Sequence, residues 1–345
     1  MKNIIPFAIK YSPIKKLALI PFEKHPDKIY RGFELQYIDG EPYGKGYRII
    51  AYRNDNYVDV YDDYSLTFQE NEKFDVAKKG LNKHLQVSIK NTCFEKQNNC
   101  ECISFTFKDL EDRKIAFNIK EFSTKKTIPM NLLAPIGYSS KNPNFLPLFF
   151  MYDFDFIRKR NTQIDCKIGN QKIIIDKFPM PMNMQFRYYA RYSNYCELLE
   201  FANTDSLNLL EVELDNNSYM DKNIEYIFDD VNSLSNIIVH IEDEKIDINF
   251  LPSFNMNKNL QGYFKISPKE KMGYIEGIYV IKRNNDKLFI KLVPQNGWKA
   301  VHNSNITKMI LKPNSIFCKW SKNYEYTAEI DIKNKSVKTK WENNN

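Results

Sequence analysis

The residues whose types and spacing could do chemistry fall in a stretch that occurs twice. The first copy runs Tyr47-Arg48-Ile49-Ile50-Ala51-Tyr52-Arg53-Asn54-Asp55-Asn56-Tyr57-Val58-Asp59. The second, about 138 residues later, runs Phe186-Arg187-Tyr188-Tyr189-Ala190-Arg191-Tyr192-Ser193-Asn194-Tyr195-Cys196-Glu197. Each holds R-x-x-A and then R-x-x-N-Y-x-(D/E). On a strand, Arg48 and Tyr52 share one face, as do Arg187, Tyr189 and Arg191. Arg53 is followed across a tight turn by Asn56, Tyr57 and Asp59, and Arg191 by Asn194, Tyr195 and Glu197. A guanidinium beside a carboxylate at the mouth of a barrel orients the polar end of a ligand. Arg48, Tyr52, Arg53, Tyr57, Asp59, Arg187, Tyr189, Arg191 and Glu197 are therefore the candidate ligand-binding residues. The same residues also make a structural clamp, in which Arg pairs with the carboxylate on the next strand, Asn makes the turn and Tyr covers the rim. Presence in both copies favours the clamp. Either way, Arg53–Asp59 and Arg191–Glu197 are expected to be salt-bridged neighbours across adjacent strands.

A second set is Asp153 and Asp155, which alternate with aromatic residues in Leu148-Phe149-Phe150-Met151-Tyr152-Asp153-Phe154-Asp155-Phe156. A buried carboxylate needs a partner or a raised pKa, so these two are the candidates for acid catalysis, with a solvent-facing row as the alternative. Other chemistries lack their residues. The four histidines, His25, His84, His240 and His302, lie far apart and suit exposed or structural roles. Cys93, Cys100, Cys102, Cys166, Cys196 and Cys318 match no zinc module and read as reduced thiols. Gly44-x-Gly46 has no following helix, and no P-loop, G-x-S-x-G or H-E-x-x-H motif occurs. With only 11 glycines in 345 residues, phosphate-cradling loops are not expected. No metal, nucleotide or other cofactor is expected. The net charge of +7, from 50 Lys and Arg against 43 Asp and Glu, is scattered rather than gathered on one stripe, which argues against a nucleic-acid partner. Lys10 breaks the N-terminal apolar stretch before a signal-peptide core forms, and no apolar run approaches the ~20 residues of a membrane span. The chain is expected to be soluble and cytoplasmic.

Strands must position these residues. Arg31 to Tyr37, 47–53, 57–62, 102–109, 114–119, 147–156, 162–168 and 171–177 alternate or run apolar, and about twelve further short strands follow to 341. Asp39-Gly40, Gly169-Asn170, Asn284-Asn285-Asp286 and Lys333-Asn334-Lys335 supply turns. Two stretches read instead as helix: 218–235, where Ile224, Ile227, Phe228, Val231 and Leu234 recur at helical spacing, and a weaker 71–83 with Phe74, Ala77 and Leu81. Ile38-Asp39-Gly40-Glu41-Pro42 is echoed by Ile175-Asp176-Lys177-Phe178-Pro179. Together these predict an all-β protein made by internal duplication, with two barrels or bent sandwiches, one short helix in each half, and domains at 1–165 and 166–345.

Tyr30-Arg31-Gly32-Phe33-Glu34-Leu35-Gln36-Tyr37, followed by Asp39-Gly40, Tyr43-Gly44, Tyr47-Arg48 and Tyr52-Arg53, resembles the opening of the tandem lipocalin-like proteins of the hydroxyneurosporene synthase (carotenoid 1,2-hydratase) and tocopherol cyclase type. That family has tryptophans in the opening strand, whereas here they stand only at Trp298, Trp320 and Trp341. The resemblance implies two lipocalin-like β-barrels and an apolar or amphipathic small-molecule partner, and it transfers no catalytic residue. The expected function is binding of such a molecule in a barrel cavity, with cofactor-free hydration, cyclisation or isomerisation if the protein is an enzyme. The alternatives are a non-catalytic interaction module and, from the supply of Tyr and Trp, a carbohydrate-binding or carbohydrate-processing protein.

Overall fold

The computed structural model describes residues 3–24, 27–69, 79–97, 100–122, 130–136, 143, 145–178, 186–206, 209–241, 244–268, 272–301, 308 and 319–344. The fold is all-β, 73% strand and 1% helix, with a curled half-barrel sheet. Among the described residues no helix is long and apolar enough to cross a membrane. The chain divides into two compact units, each assembled from separated segments. One comprises Met1–Ser12, Asn131–Phe150 and Leu198–Asn345, the other Pro13–Met130 and Met151–Glu197. The expected boundary between 165 and 166 falls inside the strand Thr162–Ile168, which pairs residue by residue with Lys114–Phe122. A ladder of this kind holds both sides of that position in one unit.

The unit containing residues 13–130 and 151–197 is a sandwich. Its larger sheet places the end of Phe145–Arg158 beside Arg187–Ser193, then Ile14–Pro21, Tyr30–Gly40, Gly44–Arg53, Tyr57–Asp63 and Gly80–Val87, of which only the last pair is parallel. The smaller sheet has the order Gln171–Lys172, Thr162–Ile168, Lys114–Phe122, Cys100–Lys108, Lys90–Gln97. Alternation aims Ile20, Phe33, Leu35, Ile49 and Tyr61 at Ile103, Phe105, Phe107, Ile115 and Phe117 in one core. Phe33 sits at the centre, edge-on to Phe117 at 5.2 Å and to Phe105 and Phe107 at 6.0 Å. Each fully buried aromatic side chain is worth about 1.5–3 kcal/mol, and each edge-on pair adds about 0.5–1.5 kcal/mol.

The other unit is built on a ten-stranded antiparallel sheet in which most neighbours in sequence are neighbours in space. It runs from Ser218–Asp221 through Ile224–Phe228, Leu234–Ile241, Glu244–Phe254, Leu260–Ser267, Tyr274–Asn284, Lys287–Lys299 and Tyr324–Asp331 to Ser336–Asn343, with Asp205–Ser206 at the far edge. We call it the meander unit. Phe7 packs with Phe201, Phe250, Phe254 and Tyr326 at its centre. Gly277 makes room for the Phe264 ring, since a Cβ there would collide with the ring and with the Val293 carbonyl. A glycine crossed by an aromatic ring is a usual device for bending a sheet.

The expected helix over 218–235 is corrected to the strands Ser218–Asp221 and Ile224–Phe228 and the turn into Leu234–Ile241. The set that decides is Ile224, Tyr226 and Phe228, buried at period two, while Val231 of the helical pattern is exposed. Asn216, Asn217, Lys222 and Asn232 adopt positive φ, closing turns that a helix cannot contain. Of 71–83, residues 71–78 lie outside the described residues, and Gly80–Val87 is a strand. The turns at Asn56, Gly169 and Asn285 form as expected, each with a left-handed residue. Both copies of the R-x-x-N-Y stretch lie in the sandwich unit, so they do not mark equivalent points in two halves.

Candidate functional site

Most of the candidate residues fall on the face of the larger sandwich sheet that looks away from the aromatic core. In register, Arg191 lies beside Leu19, Leu19 beside Glu34, and Glu34 beside Ile50. One step along, Gln36 lies beside Arg48 and Arg48 beside Asp62. In this row Glu34, Gln36, Arg48 and Asp62 are polar yet buried. Arg48 grips Asp62 through two hydrogen bonds, Nε to Oδ1 at 2.6 Å and Nη2 to Oδ2 at 2.9 Å, with the Tyr43 ring 5.1 Å from its guanidinium carbon. His84 Nε2 lies 2.8 Å from Asp62 Oδ2. Burial opposes the charge on Asp62, but the Arg48 and His84 hydrogen bonds outweigh it and hold the pKa below the usual carboxylate range.

Tyr52 donates to Glu34 Oε2 at 2.6 Å, and Gln36 donates to Glu34 Oε1 at 2.7 Å. Burial pushes the Glu34 carboxyl up, against these two hydrogen bonds and the charge of Arg191. Arg191 lies over the Tyr189 ring at 4.9 Å, and its Nη1 is buried without a hydrogen-bond partner.

Of the two expected clamps, one forms. Arg53 Nη1 reaches Asp59 Oδ2 at 3.0 Å, and its other nitrogens hold Asp55. Asp59 is fully buried and also takes Tyr30 Oη at 3.3 Å and Asn82 Nδ2 at 2.6 Å. Tyr57 is half-exposed beside Gly80. In the second copy Glu197 accepts instead from Tyr152 at 2.6 Å and Tyr195 at 2.8 Å, and no ion pair joins it to Arg191 among the described residues. The expected Arg191–Glu197 pair is therefore corrected. Arg187–Ser193 and Tyr195–Ala202 do not pair with each other, because Phe145–Arg158 lies between them.

Asp153 is exposed at positive φ, and so lies away from any buried acid site. Asp155 is buried and paired to Arg187 Nη1 at 2.5 Å. It belongs to a cluster at one end of the sandwich core that the sequence did not signal. Glu101 and Glu121 lie opposite one another on Cys100–Lys108 and Lys114–Phe122, and Tyr192 and Asn194 come from the facing sheet. Among the described residues no group of three or more His, Cys, Asp or Glu has the arrangement to hold a metal ion. His25, His302 and Cys318 lie outside the described residues, and His240 is paired to Glu225 at 2.9 Å.

In the meander unit a cavity of about 1060 Å³ runs across the ends of five consecutive strands from Leu260–Ser267 to Ser336–Asn343. Leu260, Ile281, Leu288, Phe289, Ile330 and Val337 give it an apolar lining, and Lys282, Arg283, Lys287 and Lys338 stand among the lining residues with Glu329 and Asp331. Lys287 lies opposite Asp331 and Lys338 opposite Glu329. Arg283 differs. Its Nη1 donates to Met256 O at 3.1 Å and Asn257 Oδ1 at 3.0 Å, and its Nε to Asn285 O at 3.1 Å. Among the described residues no carboxylate pairs with it, so neutral oxygens fix the guanidinium while its charge stays uncompensated. No sequence signal marked this arginine, which lies in none of the repeated motifs. Comparison of the chain with protein-family models, with curated proteins and with solved structures finds no match in any of the three.

Proposed function

We propose that this protein binds an amphipathic small molecule with an anionic head group in the cavity of the meander unit. The observation that carries the reading is Arg283, a cation held in place by carbonyl and amide oxygens beside an apolar cavity. Ligand sites are mostly apolar concavities of about 300–1,000 Å³ with a few fixed polar groups, and this one, at about 1060 Å³, is just above that range. An apolar tail would lie along the part-exposed Leu260, Val280 and Phe289, and an anionic head would meet Arg283. The resemblance of the Tyr30–Tyr37 opening to the tandem lipocalin-like family points to the same class of ligand. Binding is favoured over conversion because the lining acids, Glu329 and Asp331, are not buried, so the cavity lacks a desolvated acid of the kind that proton-transfer catalysis uses.

Competition for a fluorescent polyene fatty acid, with oleate and oleyl alcohol as competitors, tests the reading. Oleate is expected to bind roughly 10–100-fold more tightly than the alcohol, the value of a charge-assisted contact. Arg283→Gln is expected to remove that preference while leaving alcohol binding intact. Equal affinity for both competitors in the wild type, or no binding of either, would contradict it. An interaction module is favoured by one observation: Leu251 and Tyr263, directly opposite on adjacent strands, are 74% and 64% exposed. A carbohydrate platform loses its tryptophans, because Trp298, Trp320 and Trp341 are all buried.

A further inference from the structure

We propose that the Glu101–Glu121 end of the sandwich core is a proton-binding site, which makes this end of the fold a pH-dependent lock. Strand alternation turns Glu101 inward with Ile103, Phe105 and Phe107, and Glu121 inward with Ile115, Phe117 and Ile119. The two carboxylates are cross-strand partners and are 4% and 6% exposed. Asp155, 7% exposed, and Tyr192 face them from the other sheet. Like charges directly opposite one another repel, and burial sharpens the cost.

The cations that could neutralise this cluster are taken. Arg187 is held by Asp155 at 2.5 Å. Arg158 serves Glu121, its backbone N–H donating at 3.0 Å and its Nε lying 3.5 Å from the other oxygen. Lys16 spends its ammonium on the Phe94 carbonyl at 3.0 Å, and Lys96 is exposed; both act on Glu101 only through their charge. Three carboxylates thus share two guanidiniums, and Glu101 is the one left over. Its Oε2 accepts from Asn194 Nδ2 at 3.1 Å, while its Oε1 and the Asn194 Oδ1 are both buried with no partner. A proton on Glu101 turns an unpartnered acceptor into a donor and removes one of the two facing charges.

Burial is the largest cause that pushes the Glu101 carboxyl from 4.5 up to about 7, with Glu121 adding to it and Asn194, Lys96 and Lys16 opposing. The folded chain then holds this proton roughly 300-fold more tightly than the unfolded chain. A raised carboxyl contributes stability that is complete below its unfolded value and is lost as pH rises through its folded value. The window of loss is therefore from about 4.5 to about 7 and just above.

Carboxyl carbon NMR of the full-length protein, with Glu101 assigned by Glu101→Gln, reads the site directly. Its titration midpoint is expected near 7, and Glu121→Gln, which removes the facing charge, is expected to lower it. Melting followed from pH 5 to 8 is expected to fall for the wild type and to fall less for Glu101→Gln, whose neutral amide stands in for the protonated acid. The variant should melt above the wild type at pH 8 and not at pH 5. A Glu101 resonance that titrates near 4.5, or melting curves that shift equally with pH in both proteins, would overturn the proposal. Should Glu101→Gln fail to fold, Glu101→Asp removes the glutamate resonance and so assigns it, and the wild-type midpoint decides alone.

Discussion

Two stretches with the same seven-residue pattern, R-x-x-N-Y-x-(D/E), meet different fates in one sheet. At Arg53–Asp59 the chain turns through Asn56 at positive φ, and Gly44–Arg53 and Tyr57–Asp63 become partners. The arginine and the carboxylate then meet. At Arg191–Glu197 the chain passes Asn194 and enters a strand separated from the previous one by Phe145–Arg158. There the carboxylate accepts hydrogen bonds from two phenol hydroxyls, Asn194 holds Glu101, and the arginine stacks on Tyr189. A short motif fixes which groups are available. Strand order, set by distant segments, fixes which of them touch.

The largest expected effect lies next to the first stretch. Asp62→Asn removes the carboxylate charge that holds the buried Arg48 through two hydrogen bonds and should cost about 3–5 kcal/mol, read as a lowered denaturant midpoint at pH 7. Asp62 is held below its usual value of 3.8 by Arg48 and His84 in spite of burial. Its contribution is therefore complete above about pH 4 and disappears as pH falls through the lower, folded value, so the gap between wild type and Asp62→Asn should narrow in acid. Next in size, a double-mutant cycle on Arg53 and Asp59 should give a coupling of about 0.5–3 kcal/mol, whereas one on Arg191 and Glu197 should give less than about 0.5 kcal/mol. Equal couplings would erase the contrast between the two stretches. The smallest effect separates the two asparagines. Asn56→Gly should change stability by only a few tenths of a kcal/mol, because glycine accepts positive φ freely. Asn194→Gly should cost about 1 kcal/mol through the lost amide contact with Glu101.

Strand content and several hairpins were legible because period-two runs such as Cys100–Lys108 and Lys114–Phe122 sit between strong turn residues. The helix expected at 218–235 failed because Ile224, Tyr226, Ile227 and Phe228 satisfy both periods, and three asparagines and a lysine with positive φ decide between them. The polar row was hidden for a different reason. Glu34 and Gln36 alternate with Phe33, Leu35 and Tyr37, which reads as a solvent-facing side, yet that side is buried. Period two reports that two faces differ, and it does not report that one is wet. Glu101 and Glu121 were missed because each closes an apolar run where an exposed strand end is the ordinary reading. Arg283 was illegible because its significance lies in what holds it, three oxygens from the two neighbouring turns.

On the proposed reading the conspicuous arginines of the sandwich unit are structural and a ligand would enter the meander unit. Methyl NMR of the protein titrated with oleate separates the two units. Saturable shifts are expected at Ile281, Leu288, Ile330 and Val337, together with the Arg283 Nε–H, and none at Ile50, Val58 or Val60 beside Arg48 and Asp62. Shifts at Ile50, Val58 and Val60 with a silent Leu288 and Ile330 would contradict it and return the site to the charged row.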